Sequence, residues 1–259
     1  MTFAHLRTKI QSRCQRSAAR YLSRRPLLIE SATPLVSFTF DDFPRSALLV
    51  GGTILNRFGL TGTFYASFGL MGQTAPTGPI FVRQDLDVLL EHGHELGCHT
   101  FDHCHSWETN TDLFEQSIVR NEKARREIIP GVRFKTFSYP ISPPRPLTKQ
   151  RAADHFAGCR GGGQTLNVGL TDSTYLAAYF LEKSRDDPEA VNRVIEQNRR
   201  ACGWLILATH DISSDPTPYG CTPEFFEDVV QSAVASGARI LPAGEALEAL
   251  RAPRAAGTN

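Results

Sequence analysis

The chain has 259 residues, 41% apolar and 21% charged, which suits one large domain or two small ones. Lys and Arg number 28 against 27 Asp and Glu, a net charge of +1, so no global field attracts nucleic acid and none is expected as a partner. No apolar run approaches the roughly 20 residues that a membrane-crossing helix needs.

The first 25 residues depart from this balance. They hold Arg7, Lys9, Arg13, Arg16, Arg20, Arg24 and Arg25 and no acid. At helical spacing, Phe3, Leu6, Ile10, Cys14, Ala18 and Tyr21 fall near one face. Three readings stay open: a helix packed on the domain with a solvated basic face, a helix lying on an anionic membrane, or an Arg-rich transit peptide. The segment lacks the apolar core of a secretory signal. The expectation is a cytoplasmic protein, with peripheral contact at the inner membrane surface as an option. Cys14, Cys98, Cys104, Cys159, Cys202 and Cys221 show no C-x-x-C spacing and read as reduced thiols, several in the core.

Further along, "LVSFTF" (35–40) reads as a buried strand ending at Asp41 and Asp42. Residues 45–59 predict a helix closed by Gly59, and 61–67 the next strand. Residues 83–93 predict a helix capped by Gly93, and 94–100 a strand. The longest helical pattern spans 109–128, with Thr111 as its cap and Leu113, Ile118 and Ile128 on one face. "FKTFSYP" (134–140) is a strand halted by Pro140, followed by a surface turn at 142–146. Residues 155–160 predict a strand running into a mobile "GGGQT" rim. A helix over 188–203, a strand over 204–210, a helix over 223–237 and a last strand and helix complete the pattern. Six or seven strands separated by helices or long loops favour parallel β. A closed or partly closed barrel is preferred to an open doubly wound sheet. The expected division is a basic N-terminal helical segment (1–30), one barrel domain (31–252) and a flexible tail (253–259).

In both architectures, active sites collect at the carboxyl ends of the strands. The reactive residues follow that rule: Asp41 and Asp42 at one predicted strand end, His99 and His103 at another, Tyr139 and Pro140 at a third, His210 and Asp211 at a fourth. Two adjacent carboxylates repel, and burying either without a partner is costly, so a cation nearby is the economical explanation. His99 and His103, four apart in "HTFDH", would face one point on a helical turn. Two imidazoles and one carboxylate make a three-ligand site with room for water, as in catalytic zinc centres. "HGHELGCH" is not a metalloprotease HExxH helix, because Cys98 stands at its fifth position. His92, His94 and His105 read as surface or supporting histidines.

"TFDD", "HTFDH", "FSYP" and "LATHD", in this order, resemble the motifs of the polysaccharide deacetylase family, also called the NodB homology or carbohydrate esterase 4 family. The resemblance runs from about Leu35 to Leu250. It implies an irregular (β/α) barrel of about seven parallel strands that removes N-acetyl groups from amino sugars. It further implies one divalent metal ion, Zn²⁺ first, with Co²⁺, Ni²⁺ or Fe²⁺ as other fits. By that resemblance Asp41 is the catalytic base, Asp42, His99 and His103 are the metal ligands, and His210 is the general acid. The backbone at Tyr139 and Pro140 would help hold the oxyanion. The chain departs from the pattern in three places. Ser138 stands where an arginine usually braces the base, and Arg145 or Arg160 are the substitutes in the following loops. The acid that orients His210 is not recognisable, with Asp172 and Asp211 as candidates. Phe43 stands where a glycine commonly follows the aspartates. The expected substrate is an N-acylated sugar of a polysaccharide, oligosaccharide or lipid-linked glycan precursor. The rivals are hydrolysis of a non-sugar amide and a catalytically silent carbohydrate-binding homologue. Nothing in the sequence sets an oligomeric state.

Overall fold

The computed structural model describes residues 13–252. The two longest strands, β1 (Leu35–Phe40) and β7 (Trp204–Thr209), are buried along their whole length and pair in parallel from Leu35↔Trp204 to Phe40↔Thr209. Continuous apolar runs of this kind belong to strands covered on both faces. Their polar members are satisfied: the Trp204 indole donates to Ser37 (3.0 Å) and Thr39 donates to the Leu207 carbonyl (3.0 Å). Successive residues of β7 serve different layers. Leu205 and Leu207 join the main core, whereas Trp204, Ile206 and Ala208 join a second cluster with Leu27, Ile29 and Leu247.

Around this pair stand β2 (Thr63–Ala66), β3 (Glu95–Cys98), β4 (Thr136–Ser138), β5 (Gly158–Arg160) and β6 (Tyr179–Phe180). The order is β6-β7-β1-β2-β3-β4-β5, all parallel, with β8 (Arg239–Ile240) pairing beside the start of β1. The sequence order is thus cyclic, and the open seam lies between β5 and β6. An irregular stretch crosses the seam: Gly161 donates to the Leu176 carbonyl (2.9 Å) and Gln164 to that of Ala178 (2.9 Å). The sheet is the expected irregular α/β barrel, curled into a partial barrel of seven strands. The "GGGQT" rim is pinned, not mobile, since the Gln164 amide also exchanges hydrogen bonds with the Phe180 backbone.

Helices cover the outside. Thr53–Arg57 is preceded by a π-helical stretch, Ala47–Gly52, where an uninterrupted α-helix was expected. Phe226 of Pro223–Ala235 packs on Phe38 and Phe40, both at 5.6 Å. Thr111–Ile128 is capped by Asn110 rather than Thr111, and Leu113, expected in the core, is 57% exposed while Phe114 is buried. The helix Pro146–His155, with proline at its first turn, has no counterpart in the sequence expectations.

The described part of the N-terminal segment, residues 13–29, packs on the barrel. Residues 13–21 are helical, and Pro26–Ile29 pairs antiparallel with Gly169–Asp172 to form a ribbon along the seam. Fully buried Lys149 donates to the carbonyls of Ala19 (2.6 Å) and Leu22 (2.8 Å) and to Asp172 (2.5 Å). Arg25 reaches the carbonyls of Ala153, Phe156 and Ala157. The expected tail (253–259) and the apolar positions Phe3, Leu6 and Ile10 lie outside the described residues. All six cysteines are free, and burial pushes the Cys98, Cys159 and Cys221 thiols up to about 12, as for unreactive core residues.

Candidate active site

Where β1 ends, the backbone turns sharply. Asp42 (φ 62°) and Phe43 (φ 53°) both occupy the left-handed region, which Asp tolerates and Phe does not. The cost at Phe43 is of order 1–3 kcal/mol. It is offset by complete burial of the ring, stacked on Phe81 at 4.7 Å and tilted against Phe64 at 5.1 Å. This turn throws the two carboxylates in different directions. Asp41 is anchored through its N–H to the Thr209 carbonyl (3.0 Å), and Asp42 points to the histidines.

His99 and His103 are not on a helix. The segment after β3 is a bent loop with Thr100 (φ 62°) and His103 (φ 51°) left-handed. It is tied to the helix Thr111–Ile128 through Ser117, whose hydroxyl accepts from the N–H groups of Phe101 and Asp102 and donates to the Asp102 carboxylate. Arg120 adds an ion pair to Asp102 (2.8 Å) and lies over the Phe101 ring at 4.3 Å. The two imidazoles still converge, with ring centroids 5.0 Å apart.

The Nε2 atoms of His99 and His103 lie 3.4 Å and 3.0 Å from Asp42 Oδ1. Donor atoms of all three side chains fall within 4.8 Å of one another. Oδ1 is buried, yet neither approach has hydrogen-bond geometry, so the oxygen is orphaned. Its mate Oδ2 accepts from Thr77 (3.1 Å), and His99 Nδ1 lies 2.8 Å from the Ser138 carbonyl. With a proton on that Nδ1, the His99 Nε2 lone pair faces Asp42. An orphaned buried carboxylate oxygen between imidazole nitrogens, each ligand braced from behind, fits a divalent cation. Burial would raise the Asp42 pKa, but His103 and His99 hold it well below the usual carboxylate range.

Asp41 has a different partner. Arg160, at the end of β5 and 2% exposed, forms an ion pair with it. The guanidinium lies over Tyr65 (5.0 Å) and Phe180 (5.5 Å). Burial raises the Asp41 pKa, yet Arg160, with His99 and His210, brings it below the ordinary value. Of the two arginines considered, Arg160 is therefore the one at the base. Arg145, half-buried, reaches the Glu108 carbonyl instead (3.5 Å).

His210 follows β7, half-exposed, stacked near Phe180 (centroids 6.2 Å). Its Nδ1 lies 3.1 Å from the Tyr219 carbonyl, so a backbone oxygen stands where a carboxylate was sought. Asp172 is not near it; it is spent on Lys149, Thr174 and the Arg25 N–H. Asp211 acts indirectly, accepting from the Thr217 N–H (2.8 Å) and hydroxyl (2.5 Å) and so shaping the loop that presents Tyr219. Arg185 grips the same loop at the Thr217 and Pro218 carbonyls (3.1 and 2.9 Å). The Glu182 carboxyl, its Oε2 buried without a partner, lies close enough to act on both His210 and Asp41, and burial raises its pKa.

Tyr139 and Pro140 do not supply an oxyanion donor. The Tyr139 N–H is taken by the Arg160 carbonyl (2.9 Å), its hydroxyl donates to the Thr174 carbonyl (3.1 Å), and proline has no N–H. Both are buried supports of the rim, as is Phe43. His94 is likewise core, 4% exposed, with Nδ1 accepting from the Gly62 N–H (3.1 Å). Sequence reasoning missed Thr77, Arg185, Glu182 and Tyr219. Their signal is spatial, since none lies within a recognisable motif.

A family model described as polysaccharide deacetylase matches residues 29–156, a stretch that holds Asp41, Asp42, His99 and His103. Those residues belong to the polysaccharide deacetylase family. Solved structures share the fold of this deacetylase-like chain. A family 4 acetyl xylan esterase from Clostridium thermocellum in complex with a cobalt ion is 20% identical with a TM-score of 0.58, covering 85% of this chain and 93% of that one. A family 4 carbohydrate esterase from Streptomyces lividans in complex with acetate is 17% identical with a TM-score of 0.55, covering 82% and 93%. A mutant of a Bacillus anthracis CE4 family pseudoenzyme, with restored enzymatic activity, is 14% identical with a TM-score of 0.59, covering 84% and 69%. No curated protein matches the sequence significantly.

Proposed function

We propose that the chain is a metal-dependent hydrolase that removes an N-acetyl or other N-acyl group from an amino sugar. The observation that carries this reading is the orphaned Asp42 Oδ1 between two imidazoles, with a second, separately braced carboxylate next to it in the chain. A divalent ion held by Asp42, His99 and His103, Zn²⁺ by ligand type, supplies Lewis acidity toward the acyl oxygen and makes water a stronger acid. Asp41, kept ionised by Arg160, takes the proton of the attacking water. The Tyr219 carbonyl holds His210 Nδ1–H, which leaves Nε2 to carry the proton delivered to the departing amine. An amide nitrogen leaves poorly without that proton. Tyr219, 46% exposed beside His210, supplies an aromatic face suited to a sugar ring.

The full set of Asp41, Asp42, His99, His103 and His210 favours turnover over a silent carbohydrate-binding homologue. The test is metal content of the purified protein together with acetate release from N-acetylated oligosaccharides. Release that chelator abolishes and Zn²⁺ or Co²⁺ restores, and that Asp41→Asn removes while metal uptake persists, supports the proposal. Sugar binding without release from any acylated substrate sinks it in favour of the silent homologue.

A further inference from the structure

The ribbon along the seam presents a face with no covering. Leu28 and Leu170 sit opposite each other in the antiparallel register, so their side chains share one side of the pair. Leu28 is 52% exposed and Leu170 67%, while Leu27 and Ile29 face inward and are buried. Val168, just before the strand and 51% exposed, adds a third exposed aliphatic side chain nearby. Proteins normally guard an outer strand with charges; here its outward positions are aliphatic.

The charge on the helix side of this face is positive, and exposed Glu30 lies at the other end of the strand. Exposed Arg13, Arg16 and Arg20 recur at spacings of three and four along the helix that leads into the ribbon, and exposed Arg24 follows. Tyr21 and Leu22, both exposed, lie where helix meets ribbon. The first acid in the chain is Glu30. An apolar face edged by arginines complements a surface with anionic head groups above acyl chains. Buried Lys149 and half-buried Arg25 hold helix and ribbon on the barrel, so the two parts of the surface are fixed relative to each other. Inward-facing Leu27 and Ile29 pack with Leu35 and Trp204, the first residues of β1 and β7, so the ribbon lies at the strand-start end of the barrel, away from the catalytic rim.

We infer that the outward face of the ribbon Pro26–Ile29/Gly169–Asp172, with the adjoining arginine stripe, docks the protein on an anionic lipid bilayer. The surface stands independently of the hydrolytic reading: protein that binds vesicles without releasing acetate would undo the latter alone.

The test is co-sedimentation of the full chain with vesicles of phosphatidylcholine alone or mixed with phosphatidylglycerol. The expected result is at least about tenfold stronger partitioning onto the anionic vesicles, weakened by added salt. The pair Leu28→Glu and Leu170→Glu removes about tenfold of that binding at an unchanged melting temperature. If the pair unfolds the protein, Leu170→Ser and Arg20→Glu/Arg24→Glu carry the same expectation. Equal binding to both vesicle types overturns the inference. So does binding untouched by the ribbon substitutions but lost on removing residues 1–12. Ultracentrifugation showing a dimer that Leu170→Glu dissociates also overturns it, because a second copy then covers the face.

Discussion

Two carboxylates at opposite ends of the barrel show how structure separates a supporting acid from a working one. Glu95, at the start of β3, accepts from Thr63 (2.9 Å), Thr136 (2.8 Å) and the Gly244 N–H (2.7 Å). Its donors are neutral, and burial, only partly countered by them, raises its pKa. Asp42, past the end of β1, faces two imidazoles, keeps one oxygen orphaned, and has its pKa pulled far down. Glu95 completes its hydrogen bonds within the chain. The Asp42 end leaves valences open for something from outside, and it is there that Asp42, Phe43, Thr100 and His103 adopt left-handed backbone.

The sharpest way to break this contrast is to neutralise each acid in turn. Asp42→Asn should abolish metal uptake in equilibrium dialysis and lower kcat/KM by about a thousandfold or more. Glu95→Gln should leave kcat/KM within about twofold and cost about 1–2 kcal/mol in urea melts, as a buried donor loses its acceptor. The reverse pattern would refute the division of labour.

Arg160→Gln probes the second working acid. Without the guanidinium, burial dominates and the Asp41 pKa rises. The acid limb of kcat/KM should then move up by about 1–3 pH units, and Arg160→Lys should recover part of the shift. An unmoved limb would detach Arg160 from the base. His94 sharpens the comparison from the core side. Its burial, with His92 nearby, brings its pKa down from 6.5 to about 4. The unfolded chain takes up this proton near pH 6.5 and the folded chain only near 4, so stability falls as pH drops through that window. The loss levels off at about 3 kcal/mol, and His94→Gln should flatten it in denaturant titrations. The smallest effect is expected at Asp211→Ala, which frees the Tyr219 loop and should lower kcat several-fold with KM little changed.

The element pattern was legible because β1 and β7 are apolar-rich runs of six residues and the helices between them carry regular apolar spacing. Pro146–His155 was hidden by the prolines before it, and the ribbon by the 140 or so residues that separate its strands. The metal ligands were legible because they sit within short motifs at strand ends. That they converge from a bent loop instead of a helical turn was not, since the bend depends on Ser117, far along another element. Arg160 could be offered only as one of two arginines, because contacts across the barrel leave no local trace. Tyr139 misled, as a motif cannot reveal that its N–H is already bonded.

Ser117 has one more consequence. Two loop amides that fix the histidine-bearing segment end on a single hydroxyl in the first half of the helix Thr111–Ile128. Fraying of those turns would let His103 swing away, and a cation gripping His103 would in turn resist the fraying. Affinity for the ion and protection of the helix amides against deuterium exchange are thereby the same free energy seen from two ends.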